Sequence, residues 1–282
     1  MLYLKVEICR KKRKNMALKF CSFASSSSGN CYLVESSNTR LLIDMGIAGK
    51  RVIEGLASRN LTPEDVNGIL ITHEHIDHVK SVRMISKKAV NAKVYTSRGT
   101  ASQILDKVEE SKFCYVEPDS PFTIGDIMVN PFRLSHDAAE PLGFSVIHDH
   151  KKISVITDTG YVSEDMFYET YDSDLLVLEA NHEINILKMG SYPYSLKQRI
   201  LGNFGHLSNE AAGNYICRML GERKATAPVP KIVLAHLSSE NNTPSQAYLT
   251  IRNILFEEDY LIGRDLEMDV IKKDQISSVM EV

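Results

Sequence analysis

From Leu18 onward the chain alternates short apolar runs with turn residues and longer amphipathic stretches. Leu18–Ala24, Asn30–Glu35, Arg40–Ile43, Gly68–Ile71 and Lys93–Tyr95 are predicted strands, and the spacing over Ala48–Ser58 and Val79–Ala89 predicts helices. Residues 111–136 read mostly as strands, punctuated by Pro118, Pro121 and Gly125. Gly143–Ile147 and Lys152–Ile156 flank the polar turn His148-Asp149-His150-Lys151, a predicted hairpin. Farther on, Asp174–Leu178 and Lys231–Ala235 predict buried strands. Ser208 is placed to cap a helix running to Leu220, and another helix is expected over Pro244–Phe256.

The two halves echo each other. TRLLIDMG (Thr39–Gly46) resembles SVITDTG (Ser154–Gly160), each an apolar strand ending in aspartate and glycine. NGILITHEH (Asn67–His75) resembles KIVLAHLS (Lys231–Ser238), each an apolar strand delivering a histidine at its carboxyl end. The expected fold class is therefore α/β, a four-layer αββα domain with two sheets sandwiched between helices. Functional side chains would collect along the rim where strands end.

Charge modifies this picture at the amino end. The chain carries a net charge of −3, but residues 1–15 hold six basic residues and one acidic. The remainder is thus at −8, which argues against indiscriminate nucleic-acid binding and demands a local basic surface for any DNA function. A second methionine, Met16, opens the patterned sequence. Residues 1–15 are therefore expected to be a basic extension or a misassigned start, and residues 16–282 the domain. The order of apolar and charged residues in that extension is the reverse of a secretory signal. No apolar run approaches the roughly 18 residues of a membrane-spanning helix. Five cysteines (Cys9, Cys21, Cys31, Cys114 and Cys217) form no C-x-x-C pair, which disfavours a disulfide framework and predicts a reducing cytoplasm.

The most informative stretch is Thr72-His73-Glu74-His75-Ile76-Asp77-His78. H-x-H on an extended segment puts His73 and His75 on one side, able to share an ion. Asp77 and His78, past the bend where a helix starts, can face a second ion. Imidazole and carboxylate ligands without thiolate suit Zn, Mn or Fe rather than structural zinc. A surface histidine cluster is the bland alternative, and the spacing disfavours it.

H-x-H-x-D-H after a strand resembles the signature of the metallo-β-lactamase fold superfamily. The resemblance implies that His136 in LSHDAAEP completes the first metal site, Asp158 in ITDTG bridges, and His236 in VLAHLS completes the second. It also implies that Asp44 braces the ligand loop from behind. SFASSSSGN, SHDAAEP, TDTGYVS, EANHE, GHLSNE and AHLSSENN together are similar to the YycJ/WalJ family, near the nuclease branch that holds tRNase Z and RNase J. Ser26 departs from that pattern, standing where a glycine is expected.

Two ions about 3.5–4 Å apart suit phosphodiester hydrolysis, but also lactone, thioester and lactam opening. Three features narrow the choice. In the tRNase Z branch a histidine in a G-H-S/T setting, partnered by a glutamate, protonates the leaving oxygen. The resemblance gives these catalytic roles to His206 and Glu179, with Asp77 supporting the second ion; the alternative is that His206 only buttresses the next helix. A carboxylate beside an imidazole favours its protonated form. Asp158 replaces the cysteine of the best-known lactamases, His75 the glutamate of flavodiiron oxidoreductases, and Val79-Lys80 the glycine pair usual in glyoxalase-type thioesterases. Finally, Lys80, Arg83, Lys87 and Lys88 follow the motif, while Lys188, Lys197 and Arg199 with Tyr192 and Tyr194 precede His206. Such faces can track a phosphate backbone and stack on bases, or be ordinary solvated surfaces. Ser27, Ser28 and Asn30, in SSSSGN, can hold a terminal phosphate or simply make a tight turn.

The resemblance implies a 5′→3′ exonuclease on single-stranded DNA ends, active in DNA repair. Spacing alone supports a binuclear metallohydrolase, with a phosphodiester favoured. The alternatives are a small-molecule metallohydrolase acting on a lactone, ester or cyclic phosphodiester, and a regulatory protein with a vestigial site. His148 and His150 are expected to be solvated turn residues, and His182 to lie either behind the site or on the surface.

Overall fold

Two seven-stranded mixed sheets face each other in the computed structural model of the chain, which describes residues 17–224 and 226–282. The expected extension over residues 1–15 lies outside the described residues. The first sheet comprises β1 (Lys19–Ala24), β2 (Cys31–Glu35), β3 (Arg40–Ile43), β4 (Gly68–Leu70), β5 (Lys93–Thr96) and β6 (Phe113–Tyr115). The second runs through β7 (Phe122–Ile124), β8 (Ile127–Arg133), β9 (Leu142–His148), β10 (Lys151–Ile156), β11 (Leu175–Glu179), β12 (Lys231–Ala235) and β13 (Glu267–Val270). The last strand, β14 (Met280–Glu281), returns to pair with β1 in the first sheet.

Both sheets share one plan, antiparallel pairs on one side of a central strand and parallel pairs on the other. The central strands are β3 and β10, so Asp44 and Asp158, just past their ends, occupy equivalent places. The second echo is looser than the sequence suggests. By position in the sheet, the counterpart of β4 is β11, which ends in Glu179; β12, which delivers His236, corresponds to β5. The likeness of the β4 and β12 segments reflects the continuous apolar character of parallel strands covered on both faces.

Alternation along the strands divides the core into three apolar layers. Leu41 and Ile43 face the other sheet, joining Phe20, Tyr32, Phe144 and Val177 between the sheets. Leu42, Leu33 and Val94 face outward onto α1 (Gly49–Ala57), through Val52 and Leu56. On the far side Leu176, Leu178 and Leu234 pack on α8 (Asn209–Glu222) and α9 (Pro244–Glu257) through Ile216 and Ile251. Helix, sheet, sheet, helix is the predicted order of layers.

The local deviations have physical causes. The helix expected over 79–89 is two pieces, α2 (Ile76–Val79) and α3 (Val82–Lys88), broken at Ser81. The hairpin turn contracts to Asp149 and His150, with φ of 47° and 67°, the positive pair that a two-residue turn demands. Ser208 caps α8 as expected, its Oγ accepting from the Ala211 N–H. Four short helices were not predicted: α4 (Arg98–Gln103), α5 (Glu164–Thr170), α6 (Ile184–Met189) and α7 (Tyr194–Leu201). Among the described residues, no helix is long and apolar enough to cross a membrane.

Candidate metal centre

The rim is built from strand ends. Asp44, Asp158 and His236 have φ of 58°, 62° and 56°, a left-handed backbone that non-glycine residues rarely adopt. Each follows a strand directly or by one residue; Asp158 and His236 line the cleft, while Asp44 lies behind it against His78. The loop after β3 presses against the histidine motif: a Cβ on Gly46 would fall 1.5 Å from the Asp77 carbonyl oxygen. Only glycine permits that approach, which fixes the turn that carries Asp77 and His78.

Among the described residues, ligand-type atoms gather in three groups, each within 4.8 Å: His73, His75 and His136; Asp77, His78, Asp158 and His236; and Asp158, Glu179, His206 and His236. The first two are the candidate ion sites. His136 Nε2 lies 3.3 Å from His75 Nδ1, while its Nδ1 is 3.0 Å from the Gly205 carbonyl, which fixes the ring. His78 Nε2 is 3.1 Å from Asp158 Oδ2 and 3.3 Å from Asp77 Oδ2. His236 Nε2 stands 3.4 Å from Asp158 Oδ1 and 3.5 Å from Asp77 Oδ2. His73 Nε2 and Asp158 Oδ2 are buried without a hydrogen-bond partner. A buried imidazole nitrogen and a buried carboxylate oxygen that make no hydrogen bond cost free energy unless a cation meets them. The donor set therefore fits metal ions.

Outer partners orient the rings. Asp44 Oδ2 lies 2.7 Å from His78 Nδ1, and Asp44 Oδ1 accepts from the Thr72 N–H at 2.9 Å. Thr72 Oγ1 also reaches Asp44 and lies 3.0 Å from His73 Nδ1. Glu179 Oε1 is 2.8 Å from both His206 Nδ1 and His236 Nδ1, and its Oε2 accepts from the Thr159 N–H at 2.9 Å. One carboxylate thus holds the ring of a candidate ligand and that of the candidate acid.

Charge differs sharply between the groups. Burial, with help from the neighbouring His78, pushes His73 well below the usual imidazole range, and burial likewise lowers His136. Burial also opposes charge on His236, but Asp158, Asp77 and Glu179 outweigh it and raise the ring to about 10. His78 is raised well above its ordinary value, the carboxylates of Asp158, Asp44 and Asp77 overriding burial. Glu179 is driven to about 2, burial being outweighed by His206 and His236.

The cleft is a cavity of about 250 Å³ lined by members of both groups (His75 and His136; Asp77, Asp158 and His236), with His206, Ser27, Tyr192, Leu196 and Arg199. Other residues singled out by the sequence sit elsewhere. Lys80 and Arg83 are exposed beyond the cavity lining. Lys197 Nζ donates to the Lys188 and Gly190 carbonyls at the end of α6. Arg199 forms a forked pair with Asp137, the residue after His136. Ser28 is exposed outside the cavity, and Asn30 is buried with Nδ2 3.2 Å from His78 Nε2. Ser26 is buried without a positive φ, so the expected glycine is not needed there. His148 is not simply solvated: its Nδ1 lies 2.9 Å from the Asp126 carbonyl. His182 is buried, both ring nitrogens unpaired, and burial lowers it to about 4. Sequence reasoning missed Asn181, whose Nδ2 donates to the His236 carbonyl, and Asp137; both directly adjoin recognised motifs.

Comparison with known proteins agrees with this geometry. Residues 39–227 match the family model described as the beta-lactamase superfamily domain. The chain is 38% identical to exodeoxyribonuclease WalJ of Streptococcus pneumoniae, over 95% of this chain and 99% of that one. It is 35% identical to exodeoxyribonuclease YycJ of Bacillus anthracis, over 90% of this chain and 95% of the relative. Among solved structures, the metallo-beta-lactamase fold protein YhfI of Bacillus subtilis superposes with a TM-score of 0.68 at 15% identity, covering 94% of this chain and 99% of that one. With two full-length relatives and a matching domain, the chain belongs to the beta-lactamase superfamily and, within it, to the WalJ/YycJ family.

Proposed function

We propose that the protein is a metal-dependent phosphodiesterase that removes nucleotides 5′→3′ from single-stranded DNA ends. The names of the WalJ and YycJ relatives support the nuclease class. In this reading His73, His75 and His136 hold one divalent transition metal, Zn or Mn, and Asp77, His78 and His236 a second, with Asp158 between them. Such a pair activates a water and clamps the attacking and leaving oxygens of an in-line displacement.

The observation that carries the reading is the His206–Glu179 pair at 2.8 Å. His206 Nδ1 is committed to the carboxylate, so Nε2 is the nitrogen left for the cleft, and the ring is 16% exposed at its mouth. The buried carboxylate fixes the ring and leaves Nε2 as the nitrogen placed for proton delivery. A departing deoxyribose alkoxide needs that proton; the leaving groups of most activated esters do not. Arg199 brings a guanidinium to the lining of the same cavity, and Ser27 also lines it.

The test is a time course with 5′-labelled and 3′-labelled single strands, Mn and Zn compared. Release of short products from the 5′ label first, with the 3′ label shortening stepwise, is expected. Hydrolysis of generic esters or cyclic phosphodiesters without any action on DNA would replace this reading by that of a small-molecule hydrolase.

A further inference from the structure

A second cavity, of about 360 Å³, lies directly behind the wall of the metal centre. It falls within the roughly 300–1,000 Å³ of small-molecule pockets. The two cavities share backbone. Ser135 lines the second and His136 the first; Phe204 lines the second, while Gly205, the next residue, holds the His136 ring and His206 follows. The segments are knitted together, Ser135 Oγ donating to the Asn203 carbonyl and the Asp137 N–H to the Phe204 carbonyl. Consecutive Cα atoms are about 3.8 Å apart, so at these two places the linings of the cavities adjoin.

Half of the cavity's lining is apolar or aromatic and half is polar or charged, which suits a nucleobase with apolar faces and polar edges. Its floor includes the buried side chains of Phe132 and Met166. Its lining includes Tyr161 and Phe204, which remain 46% and 63% exposed and so offer ring surface to a ligand. The rim carries Arg133, but also Asp119 and Asp165, so its charge does not favour a phosphate. Base–aromatic stacking is tolerant of sequence because every base has a π-face.

We infer that this cavity receives an unstacked nucleobase of the DNA strand whose phosphate lies at the metal centre, held against Phe204 and Tyr161. The inference rests on the nuclease reading above and names what that reading leaves open: how a single strand is kept in register while nucleotides are removed. A duplex cannot place a paired base there, so the same contact selects unpaired ends.

The experiment is a coupling cycle. Wild-type protein, Phe204→Ala and Tyr161→Ala are each given single strands that differ only in the position of one abasic residue, and kcat/KM is measured for each. For the wild type, one abasic position near the attacked end is expected to lower kcat/KM at least about fivefold, the scale of one stacked base. In both variants that position should no longer matter, and Phe204→Trp should restore the dependence. General damage to a variant cancels, because intact and abasic strands are compared on the same protein. If the wild type degrades DNA but the abasic penalty is the same in all the proteins at every position, the base pocket is wrong and the nuclease reading stands. If the wild type degrades no DNA with either metal, both fall together.

Discussion

The two ligand groups of the cleft touch each other yet are built on opposite electrostatic terms. His73, His75 and His136 form an imidazole cage in which burial keeps at least two rings neutral, as a metal requires. Asp77, His78, Asp158 and His236 form a carboxylate-rich group in which acidic neighbours hold protons on the two imidazoles. The first group is ready for an ion near neutral pH. The second must release protons to take one. Its outer partners, Asp44 and Glu179, are carboxylates, whereas His136 leans on a backbone carbonyl. The contrast follows from the fold: Asp44 and Asp158 end the two equivalent central strands, and both address the second group.

The largest effect should come from Asp77→Ala, which removes a carboxylate facing both His78 and His236. Turnover of DNA and of a nitrophenyl phosphodiester should fall alike, by more than the roughly 10²-fold that loss of an outer partner costs. Metal content after dialysis should show the second ion lost and the first retained; loss of both would mean the groups act as one. Next comes His206→Ala, expected to slow DNA turnover about 10²-fold or more while metal content stays full. A phenolate leaves without a proton, so the nitrophenyl reaction should suffer far less, and equal losses would make His206 structural. Glu179→Gln should not behave as a mere weakened copy of His206→Ala. Its Oε1 meets His236 as closely as His206, so it should also loosen the second ion.

Much of this arrangement was legible in the sequence, and the limits are instructive. The ligands announce themselves because imidazole and carboxylate types crowd into THEHIDH and recur after apolar strands. Glu179 and His206 were legible only through resemblance, since nothing in their spacing says that β11 and the turn after α7 meet. The Gly205 carbonyl that orients His136 has no sequence signal at all, being backbone. The helices α4 to α7 span only six to eight residues, too short to show a period against their polar surroundings. The basic stretches divide. Lys197 is spent on nearby helix-end carbonyls, whereas Arg199 reaches across to Asp137, 62 residues away in sequence, and so lines the cleft.

The pH dependence of metal binding sharpens the contrast. His236 at about 10 lies above the roughly 6.5 of an unfolded imidazole. Without metal, its ion pairs therefore stabilise the fold fully below about 6.5 and lose that contribution as pH rises through about 10. Binding runs the other way: each imidazolium that must deprotonate lowers apparent affinity about tenfold per pH unit of acidification. His236 alone should make the affinity of the second group fall about tenfold per unit from pH 8 to pH 6, and His78, raised in the same direction, should steepen the fall. The first group should change much less, because His73 and His136 already lack the proton. Competition titrations at several pH values would resolve two ions of different slope; a single common slope would erase the distinction.

The finest probe is Asp44→Asn. Asparagine tolerates the left-handed backbone at this position, so the turn after β3 should survive. The amide oxygen can keep the bond from the Thr72 N–H, which places the amide nitrogen opposite His78 Nδ1. Two donors then face each other unless the imidazole moves its proton to Nε2, the nitrogen aimed at Asp77 and Asp158. A protonated Nε2 cannot bind a metal, so the substitution attacks the ligand through its tautomer without touching it. Affinity for the second ion should drop about 10–100-fold, the usual cost of an outer partner. The first ion should be unaffected, and the thermal midpoint of the metal-free protein should fall, because the buried His78–Asp44 pair is broken. If both ions weaken together, the carboxylate braces the whole motif loop through Thr72 rather than the His78 ring, and the division between the two groups lies elsewhere.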